Sequence, residues 1–338
     1  MEPELARQGY ALGKDAQDWK VALAQKDLLD SGPTREKVVP ILYRPFDVRR
    51  TYYTGQSRGF ICRPRPEVMR HMLAGENLAL ITSRLTKGET FRHAQVTQNI
   101  AEVICMSPKT SNNGFVFPLY LYPTADRQDL FAHHDPSERQ PNLNPALVAA
   151  LAQAYGQEPT PEEIFHYLYA VLYAPAYRAK YVEFLRLDFP RLPFTADAAL
   201  FGKLAALGKR LIGLHLLKSP ELDPPACRFE GAGDGCIAKG RQQGLRYETK
   251  EQRMYINAAQ YFGPLPEAVW TYRVGGYQVS EKWLKDRQGR PLELDDIRTY
   301  CRIVTALGRT IEIQQQIDAL YLEAERHTVT VSATGQGV

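Results

Sequence analysis

The stretch Tyr43-Arg-Pro-Phe-Asp-Val-Arg-Arg-Thr-Tyr-Tyr53 interleaves aromatic rings with arginines near the start of the chain. Apolar and β-branched residues at 38–43 and 51–54 predict two strands around an arginine-rich turn. Further elements are predicted as a helix at Pro66–Leu73 and strands at 77–82 and 117–122, the last with Phe117 in the core. Residues 36–130 are therefore predicted to form an N-terminal α/β lobe.

Helix signals dominate the central part of the chain. Asn144 is a capping residue before Pro145, and Thr160-Pro-Glu-Glu163 is a capping box. In such a box the hydroxyl and the carboxylate satisfy free backbone N–H groups of the first helical turn. A long apolar helix is predicted at 196–217. Residues 131–225 are therefore predicted to be a helical segment.

The two ends of the chain complete the predicted architecture. Residues 1–35 are predicted to be a helical connector, 226–327 a C-terminal lobe, and 328–338 a loose tail. The C-terminal lobe combines a glycine-rich β section with two closing helices at 293–307 and 309–326. Because strands and helices occur in separate runs, the predicted class is α+β. It has a mixed β-strand N-terminal lobe, a central helical bundle, a small β section and two closing helices.

The composition excludes several classes of protein. Of 338 residues 44% are hydrophobic, which supports a filled core and excludes a largely disordered chain. No apolar run approaches the roughly 18 residues that a membrane helix needs. Five cysteines without a CxxC pair indicate a reducing cytoplasm, and neither a zinc site nor a disulfide framework. The net charge of +4 permits nucleic-acid binding without requiring it. The 28 arginines against 14 lysines suit phosphates and guanine edges, or reflect GC-rich codon usage.

The motifs of catalysis and cofactor binding are incomplete. Gly9-Tyr-Ala-Leu-Gly13-Lys14 has three residues between its glycines, where a phosphate-binding loop has four, and Asp15 would repel phosphate. Asp223-Pro-Pro-Ala226 is similar to the Asp/Asn-Pro-Pro-Tyr/Phe loop of amino methyltransferases, but Ala226 has no ring to stack on a flipped base. We therefore expect neither catalysis nor a cofactor site in this chain.

Two basic and aromatic clusters are the strongest functional signals. Between Tyr43 and His71, seven arginines stand against one aspartate and one glutamate. The second cluster, 270–290, has a glycine pair, Gly275-Gly276, followed by a helix rich in lysine and arginine. Such residues suit a charged nucleic-acid backbone and base edges. The structural alternatives are core aromatics with a local Arg44–Asp47 ion pair, and a glycine bulge before a core helix.

Several motifs follow one another in a fixed order from about residue 19 to 318. They are Tyr43-Arg-Pro-Phe-Asp47, Arg63-Pro-Arg65, Phe117-Pro-Leu-Tyr-Leu-Tyr-Pro123, Pro141-Asn-Leu-Asn144, Tyr169-Ala-Val-Leu-Tyr-Ala-Pro-Ala-Tyr-Arg178, Asp188-Phe-Pro-Arg-Leu-Pro-Phe194, Leu214-His-Leu-Leu217, Gly275-Gly-Tyr-Gln-Val279 and Lys282-Trp-Leu-Lys-Asp-Arg287. This series resembles the C-terminal target-recognition region of type ISP restriction–modification enzymes.

The resemblance implies a division of labour. Polypeptides of this family combine a nuclease, an ATP-driven translocase and an S-adenosylmethionine-dependent adenine methyltransferase with a final recognition region. Recognition directs N6-adenine methylation of a short asymmetric site. Because the catalytic motifs are missing here, we expect an excised C-terminal part, whose residues 1–35 connect to the methyltransferase region of the same parent polypeptide. S-adenosylmethionine, ATP and Mg would belong to the parent, and no cofactor to this chain.

The function predicted from the sequence is recognition of a specific sequence in double-stranded DNA by a cytoplasmic monomer without membrane contact. Phosphate or groove contacts are assigned to Arg44, Arg49, Arg63, Arg65, Arg84, Tyr277, Gln278, Lys282 and Lys285. Loops 84–115 and 228–253 are the predicted specificity loops. Their side chains expected to reach bases are Arg92, Lys109, Asn112, Arg241 and Arg246. The alternatives are a metal-dependent nuclease that uses Asp234, Glu248 and Lys250, and a protein-docking domain with an aromatic surface.

Overall fold

The basic aromatic stretch forms a tight β-hairpin, in which β1 (Val38–Arg44) pairs antiparallel with β2 (Asp47–Tyr52). A computed structural model describes residues 2–16, 18–123, 139–240 and 244–330 of the chain. The chain reverses at Pro45-Phe46, because the Phe46 ring is 5% exposed and enters the core beside His215. The predicted arginine-rich turn is therefore mostly strand, and the arginines lie along the hairpin.

The rest of the N-terminal lobe is made of short helices and strands. Two helices precede it in residues 1–35, α1 (Pro3–Gly9) and α2 (Val21–Ser31). The other elements of the lobe are α3 (Pro66–Leu73), β3 (Ala79–Ser83), β4 (Ala94–Thr97), β5 (Ile100–Ala101), β6 (Gly114–Pro118) and β7 (Tyr120–Leu121). β8 (Gln140–Pro141), from beyond residue 130, pairs with β7. β5 lies parallel to β1, and β3 is the centre of a sheet between β4 and β6. The prediction that 84–115 is a loop is wrong in part, because the strands β4 and β5 lie within it.

Phe117 is not in the core, contrary to expectation. It lies on the edge strand β6 and is 40% exposed, as is its neighbour Phe115 at 43%. Both rings meet the edge of Phe189, with centroids 5.4 and 5.1 Å away. Alternation along the strand turns these two rings to the outer face and Val116 toward the core. An apolar run of sequence does not by itself say which of its faces is covered.

The central part is helical, as predicted. Its helices are α4 (Pro145–Tyr155), α5 (Pro161–Tyr173), α6 (Pro175–Lys180) and α7 (Ala198–His215). The predicted capping box is present: Thr160 Oγ1 accepts from the Glu163 N–H at 3.2 Å, and Glu163 Oε2 accepts from the Thr160 N–H at 2.8 Å. The α+β class is confirmed.

The C-terminal lobe has a four-stranded sheet in the order β10-β11-β12-β9, a small hairpin and a long final helix. Its elements are β9 (Arg228–Glu230), β10 (Arg246–Glu248), β11 (Arg253–Tyr255), β12 (Tyr261–Gly263), α8 (Glu267–Trp270), β13 (Arg273–Val274), β14 (Tyr277–Gln278), α9 (Val279–Lys285) and α10 (Leu294–Ala324). The two predicted closing helices are one helix of 31 residues. Gly308 does not end it, because packing along α10 outweighs the weak helix propensity of one glycine. Within the described ranges, no helix is long and apolar enough to cross a membrane.

A buried hydrogen-bonded chain joins three helices at the centre of the molecule. The Tyr169 hydroxyl lies 2.6 Å from His215 Nδ1, and His215 Nε2 lies 2.9 Å from Thr310 Oγ1. Burial, together with the positive charge of Arg178, lowers the pKa of His215 to about 3. The imidazole is therefore neutral at ordinary pH and links α5, α7 and α10 without a buried charge.

One large hydrophobic cluster contains residues from all three predicted segments between 36 and 327. The segment boundaries themselves stay predictions. The tail is not loose at its start, since Thr328 bridges to Thr195 and the Val329 N–H donates to the Phe194 carbonyl at 2.8 Å. The remainder of the predicted tail, 331–338, lies outside the described residues.

Gly208 and Gly202 of α7 provide a matched test of the α5–α7 contact. A Cβ at Gly208 would lie 1.8 Å from the His166 carbonyl oxygen, whereas at Gly202 it would meet nothing within 4 Å. We expect Gly208→Ala to destabilise the protein by about 1–3 kcal/mol, because α5 must move away. Gly202→Ala should stabilise it by about 0.5–1 kcal/mol through backbone entropy. Urea unfolding of both variants tests this prediction. Equal unfolding midpoints for the two variants would contradict the close approach of α5 and α7 at Gly208.

Candidate nucleic-acid interface

The β1–β2 hairpin places Arg44 and Arg49 against the same ring, that of Tyr43. Their guanidinium carbons lie 3.9 and 3.8 Å from its centroid. Arg44 is 7% exposed, and its Nη1 donates to Glu102 Oε2 at 2.7 Å. The side chain of Arg49 is 39% exposed. Arg44 therefore pairs with Glu102, and not with Asp47 as the structural alternative predicted from the sequence had it.

Asp47 joins this hairpin to the C-terminal lobe. Its side chain is 2% exposed and accepts hydrogen bonds from Arg49 Nη2 at 2.8 Å and from Arg287 Nη2 at 2.9 Å. Arg287 also donates through Nε to Asp296 at 3.1 Å. Burial opposes ionisation of Asp47, but the hydrogen bonds from Arg287 and Arg49 hold its pKa below the ordinary value. The ionised carboxylate therefore fixes the hairpin against the chain that follows α9.

This contact brings together Arg44, Arg49, Tyr277 and Lys282, which the sequence placed in two separate lobes. The Arg44 guanidinium carbon lies 5.4 Å, and Lys282 Nζ 5.8 Å, from the Tyr277 ring centroid. Arg49 Nη2 lies 3.5 Å from Asp286 Oδ2, and Lys282 binds the same carboxylate. These four residues are called the hairpin–helix cluster below.

Only part of the hairpin–helix cluster is accessible. Tyr277 is 6% exposed, and its hydroxyl donates to the Ile104 carbonyl at 3.1 Å. Burial raises the pKa of Tyr277 to about 12. The DNA contacts predicted for Arg44 and Tyr277 do not fit this burial, because Arg44 Nη1 and the Tyr277 hydroxyl are bound to partners inside the fold. Arg49 and Lys282 are the cations of the cluster that solvent reaches.

Asn112, a predicted base-reading residue, is fully buried. Its Nδ2 donates to Glu89 Oε2 at 2.9 Å, and its Oδ1 accepts from the Lys87 N–H at 3.0 Å. Ser107 and His93 also bind Glu89, at 2.9 and 3.0 Å. Burial alone would raise the pKa of Glu89. The hydrogen bonds from His93, Asn112 and Ser107 outweigh that effect and lower the pKa to about 2. The polar residues of this loop therefore hold it together, and the prediction of an exposed Asn112 is wrong.

The glycine pair between β13 and β14 rests on that loop. The Gly275 N–H donates to the Arg92 carbonyl at 2.7 Å, and the Gly276 N–H donates to the Met106 carbonyl at 2.9 Å. A Cβ at Gly275, whose φ is +57°, would lie 1.8 Å from the Met106 oxygen, and one at Gly276 would lie 2.4 Å from Glu89 Oε1. Only glycine allows this approach. The β13–β14 hairpin thereby brings the C-terminal lobe to the predicted specificity loop.

The other predicted contact residues lie at separate positions. Four exposed arginines each face a carboxylate: Arg63 with Asp18 (2.7 Å), Arg65 with Glu67 (3.9 Å), Arg84 with Asp188 (3.1 Å) and Arg246 with Glu248 (3.0 Å). Surface pairs of this kind contribute little to stability, so the arginines are free to exchange partners. Lys285 pairs with Glu281, Gln278 donates to the Trp270 carbonyl, and exposed Lys109 donates to the Gly88 carbonyl. Arg241 lies outside the described residues.

Sequence reasoning missed two arginines beside the β13–β14 hairpin, Arg178 and Arg273. In the parts of the chain that the structure describes, neither has a carboxylate within 4.0 Å. No acidic residue stands within four positions of either one in the sequence. That lack of a local partner is visible in the sequence, but it becomes informative only with the surrounding structure.

The residues of the nuclease alternative, Asp234, Glu248 and Lys250, are not assembled into a metal site. Asp234 Oδ1 accepts from the Cys236 N–H at 2.8 Å, and Glu248 pairs with Arg246. Among the described residues, no group of three or more His, Cys, Asp or Glu side chains is placed to hold a metal ion.

The Glu89 network predicts a pH dependence of stability. Because the folded pKa of about 2 lies below the ordinary 4.5, the network stabilises the protein above pH 4.5 and loses this effect as the pH falls toward 2. Glu89→Gln should be less stable than wild type at neutral pH, and the gap should narrow on acidification. Urea unfolding between about pH 7 and 3 measures this difference in the free energy of unfolding. Glu158→Gln, which removes an exposed carboxylate, is the control; a gap for Glu89→Gln that does not narrow would contradict the assignment.

Comparison with known proteins gives one family match and several similar folds. The sequence model of the type ISP C-terminal specificity domain matches residues 1–316. The DrdV–DNA complex is 22% identical, with a TM-score of 0.64 over 84% of this chain and 28% of that chain. A nuclease-deletion mutant of the type ISP restriction–modification enzyme LlaGI, in complex with a DNA substrate mimic, is 17% identical, with a TM-score of 0.57 over 84% of this chain and 25% of that one. The ATP-dependent type ISP enzyme LlaBIII bound to DNA is 18% identical, with a TM-score of 0.62 over 94% and 19%.

No curated protein matches the chain. The chain spans between 19% and 28% of the lengths of the three solved proteins, and at these identities the likeness concerns the fold. The family match covers far more than half of the sequence. The chain therefore belongs to the family of type ISP C-terminal specificity domains.

Proposed function

We propose that the chain is the DNA target-recognition module of a type ISP restriction–modification enzyme and reads a specific sequence in double-stranded DNA. Membership of the specificity-domain family carries the proposal. The hairpin–helix cluster supports it, because cations from distant parts of the chain meet there on aromatic rings. The solved DrdV, LlaGI and LlaBIII structures were determined with DNA or a DNA mimic.

The module supplies recognition, and catalysis resides elsewhere in the parent enzyme. N6-adenine methylation and restriction, with S-adenosylmethionine, ATP and Mg, are assigned to regions that precede a domain of this kind. The incomplete methyltransferase-like loop at Asp223–Ala226 fits a chain without methyl transfer of its own. In this proposal it works as a monomeric unit of a cytoplasmic enzyme.

The accessible cations divide into two groups by their surroundings. Arg49, Lys282 and Lys285 lie on or beside the hairpin–helix cluster and would contact phosphates at its surface. The exposed arginines with surface partners would exchange a carboxylate for a phosphate; they are Arg63, Arg65, Arg84 and Arg246. Base reading would come from the exposed parts of the loops 84–115 and 228–253, such as Lys109.

Residues 1–35 offer a surface for the methyltransferase region of the same polypeptide. The helix α1, the helix α2 and the segment between them expose Leu5 by 59%, Tyr10 by 69% and Leu29 by 79%. A docking surface would use exposed apolar side chains of this kind. This supports the interpretation of the segment as a connector.

Selection from a randomised duplex library tests the proposed function. We expect the protein to enrich one short asymmetric sequence, and to bind it at least 10³-fold more tightly than random DNA, the lower end of the usual specific range of about 10³–10⁷. Competition binding measures that ratio. Binding without enrichment would contradict sequence recognition, and absence of binding to any duplex would contradict the DNA proposal as a whole.

The hairpin–helix cluster predicts which cations set the salt dependence. Arg49→Gln and Lys285→Gln should each weaken binding to all duplexes by a similar factor. The slope of log K against log salt should flatten by roughly 0.9 for each lost phosphate contact. Arg298→Gln removes the same charge from an exposed pair with Asp295 on α10 and serves as the control. Slopes equal to wild type in both test variants would place the phosphate contacts elsewhere.

A further inference from the structure

Two arginines lie on the two sides of the contact between the β13–β14 hairpin and the 84–115 loop. The Arg92 carbonyl accepts from the Gly275 N–H at 2.7 Å. Arg273 begins the hairpin, and its Nη1 donates to the Gly276 carbonyl at 3.0 Å. Both residues are exposed. The hairpin contact therefore places Arg92 against a residue two positions from Arg273, and both arginines are at the surface.

A third arginine, Arg178, lies next to the loop that carries Arg92. Arg178 Nε donates to the Leu172 carbonyl at 2.6 Å, and its guanidinium carbon lies 4.8 Å from the Tyr173 ring centroid. The Tyr173 hydroxyl donates to the Ala94 carbonyl at 2.8 Å, two residues after Arg92 in the chain. Arg178 is thus held half-buried beneath the loop that carries Arg92.

Gln314 of α10 links Tyr173 to Tyr272, the residue before Arg273. Its Nε2 donates to the Tyr173 carbonyl at 2.9 Å, and its Oε1 accepts from the Tyr272 hydroxyl at 3.1 Å. Tyr272 immediately precedes Arg273. The three arginines are therefore anchored to one hydrogen-bonded unit of two tyrosines and one glutamine.

The charges of these arginines are uncompensated. No carboxylate of the described ranges lies within 4.0 Å of any of the three, and Arg178 Nη2 is buried without a hydrogen-bond partner. Burial, followed by the charges of Arg178 and Arg273, holds the pKa of Arg92 below its ordinary value. Like charges that converge at a partly desolvated place are unfavourable unless an anion joins them.

We propose that Arg92, Arg178 and Arg273 form a binding site for one phosphate group, and that a phosphate of the DNA backbone occupies it. Guanidinium forks match phosphate oxygens in pairs, and the two exposed arginines beside the half-buried Arg178 are accessible to a ligand. The choice of DNA as the source rests on the proposed function. It is favoured because the same hairpin carries Tyr277 of the hairpin–helix cluster. An inorganic phosphate ion presents the same chemistry, so the test separates the two sources.

The test uses the double variant Arg92→Gln/Arg273→Gln, which leaves the core contacts of Arg178 intact. Arg326→Gln is the matched control, since Arg326 is exposed just after α10 and has no carboxylate within 4.0 Å among the described residues. The first arm compares melting temperatures in inorganic phosphate and in chloride at equal ionic strength. The second arm measures the salt dependence of binding to a DNA duplex.

In the first arm, phosphate should raise the melting temperature of wild type and of Arg326→Gln, and not that of the double variant. In chloride the double variant should melt no lower than wild type, because a repulsion has been removed. A merely structural role of the two arginines would instead lower it. Equal responses to phosphate in all three proteins would overturn the site.

In the second arm, the double variant should flatten the slope of log K by roughly 0.9 in total, because one phosphate is lost and not two. Arg326→Gln should keep the wild-type slope. A response to phosphate with an unchanged DNA slope would overturn DNA as the source and leave a site for the free ion. If wild type binds no duplex, the proposed function fails, and the first arm alone decides the site.

Discussion

The carboxylate of Asp47 is the contact on which the arrangement of the candidate interface depends. It is almost completely buried and receives arginines from two directions, Arg49 of its own strand and Arg287 beyond α9. Removing one member of such a buried pair leaves an uncompensated charge and typically costs about 3–5 kcal/mol. The pair holds the arginine-bearing hairpin against the helix that carries Lys282. The surface that we propose for DNA is thus held in place by a carboxylate that is itself buried.

Local signals were sufficient for much of the fold. The capping box at Thr160 and the prolines at helix starts depend on atoms within one helical turn, so the pattern alone predicts them correctly. The long helix α10 shows the limit of that reasoning. Gly308 weakens the helix locally, but the helix runs through it because α10 packs against several other helices. Phe117 shows the same limit in a strand, where the covered face depends on what the rest of the chain places against it.

The candidate site was harder to predict, because its partners are distant in sequence. Composition drew attention to Arg49 and Lys282 separately, yet nothing in either stretch indicates that they share Asp286. Asn112 looked like a typical exposed loop residue, and its real environment is a ring of polar groups around Glu89. Arg178 was overlooked because its motif reads as an apolar helix. Its lack of an acidic neighbour has meaning only once the surrounding elements are known.

The distance along the chain between Asp47 and Arg287 has a consequence for how the protein is made. The two residues are 240 positions apart. At roughly 5–20 residues per second, a ribosome adds that length in about 10–50 s. During this interval the hairpin exists with a carboxylate whose second arginine has not yet been synthesised. The hairpin therefore cannot reach its final arrangement against the C-terminal lobe during translation until Arg287 has emerged.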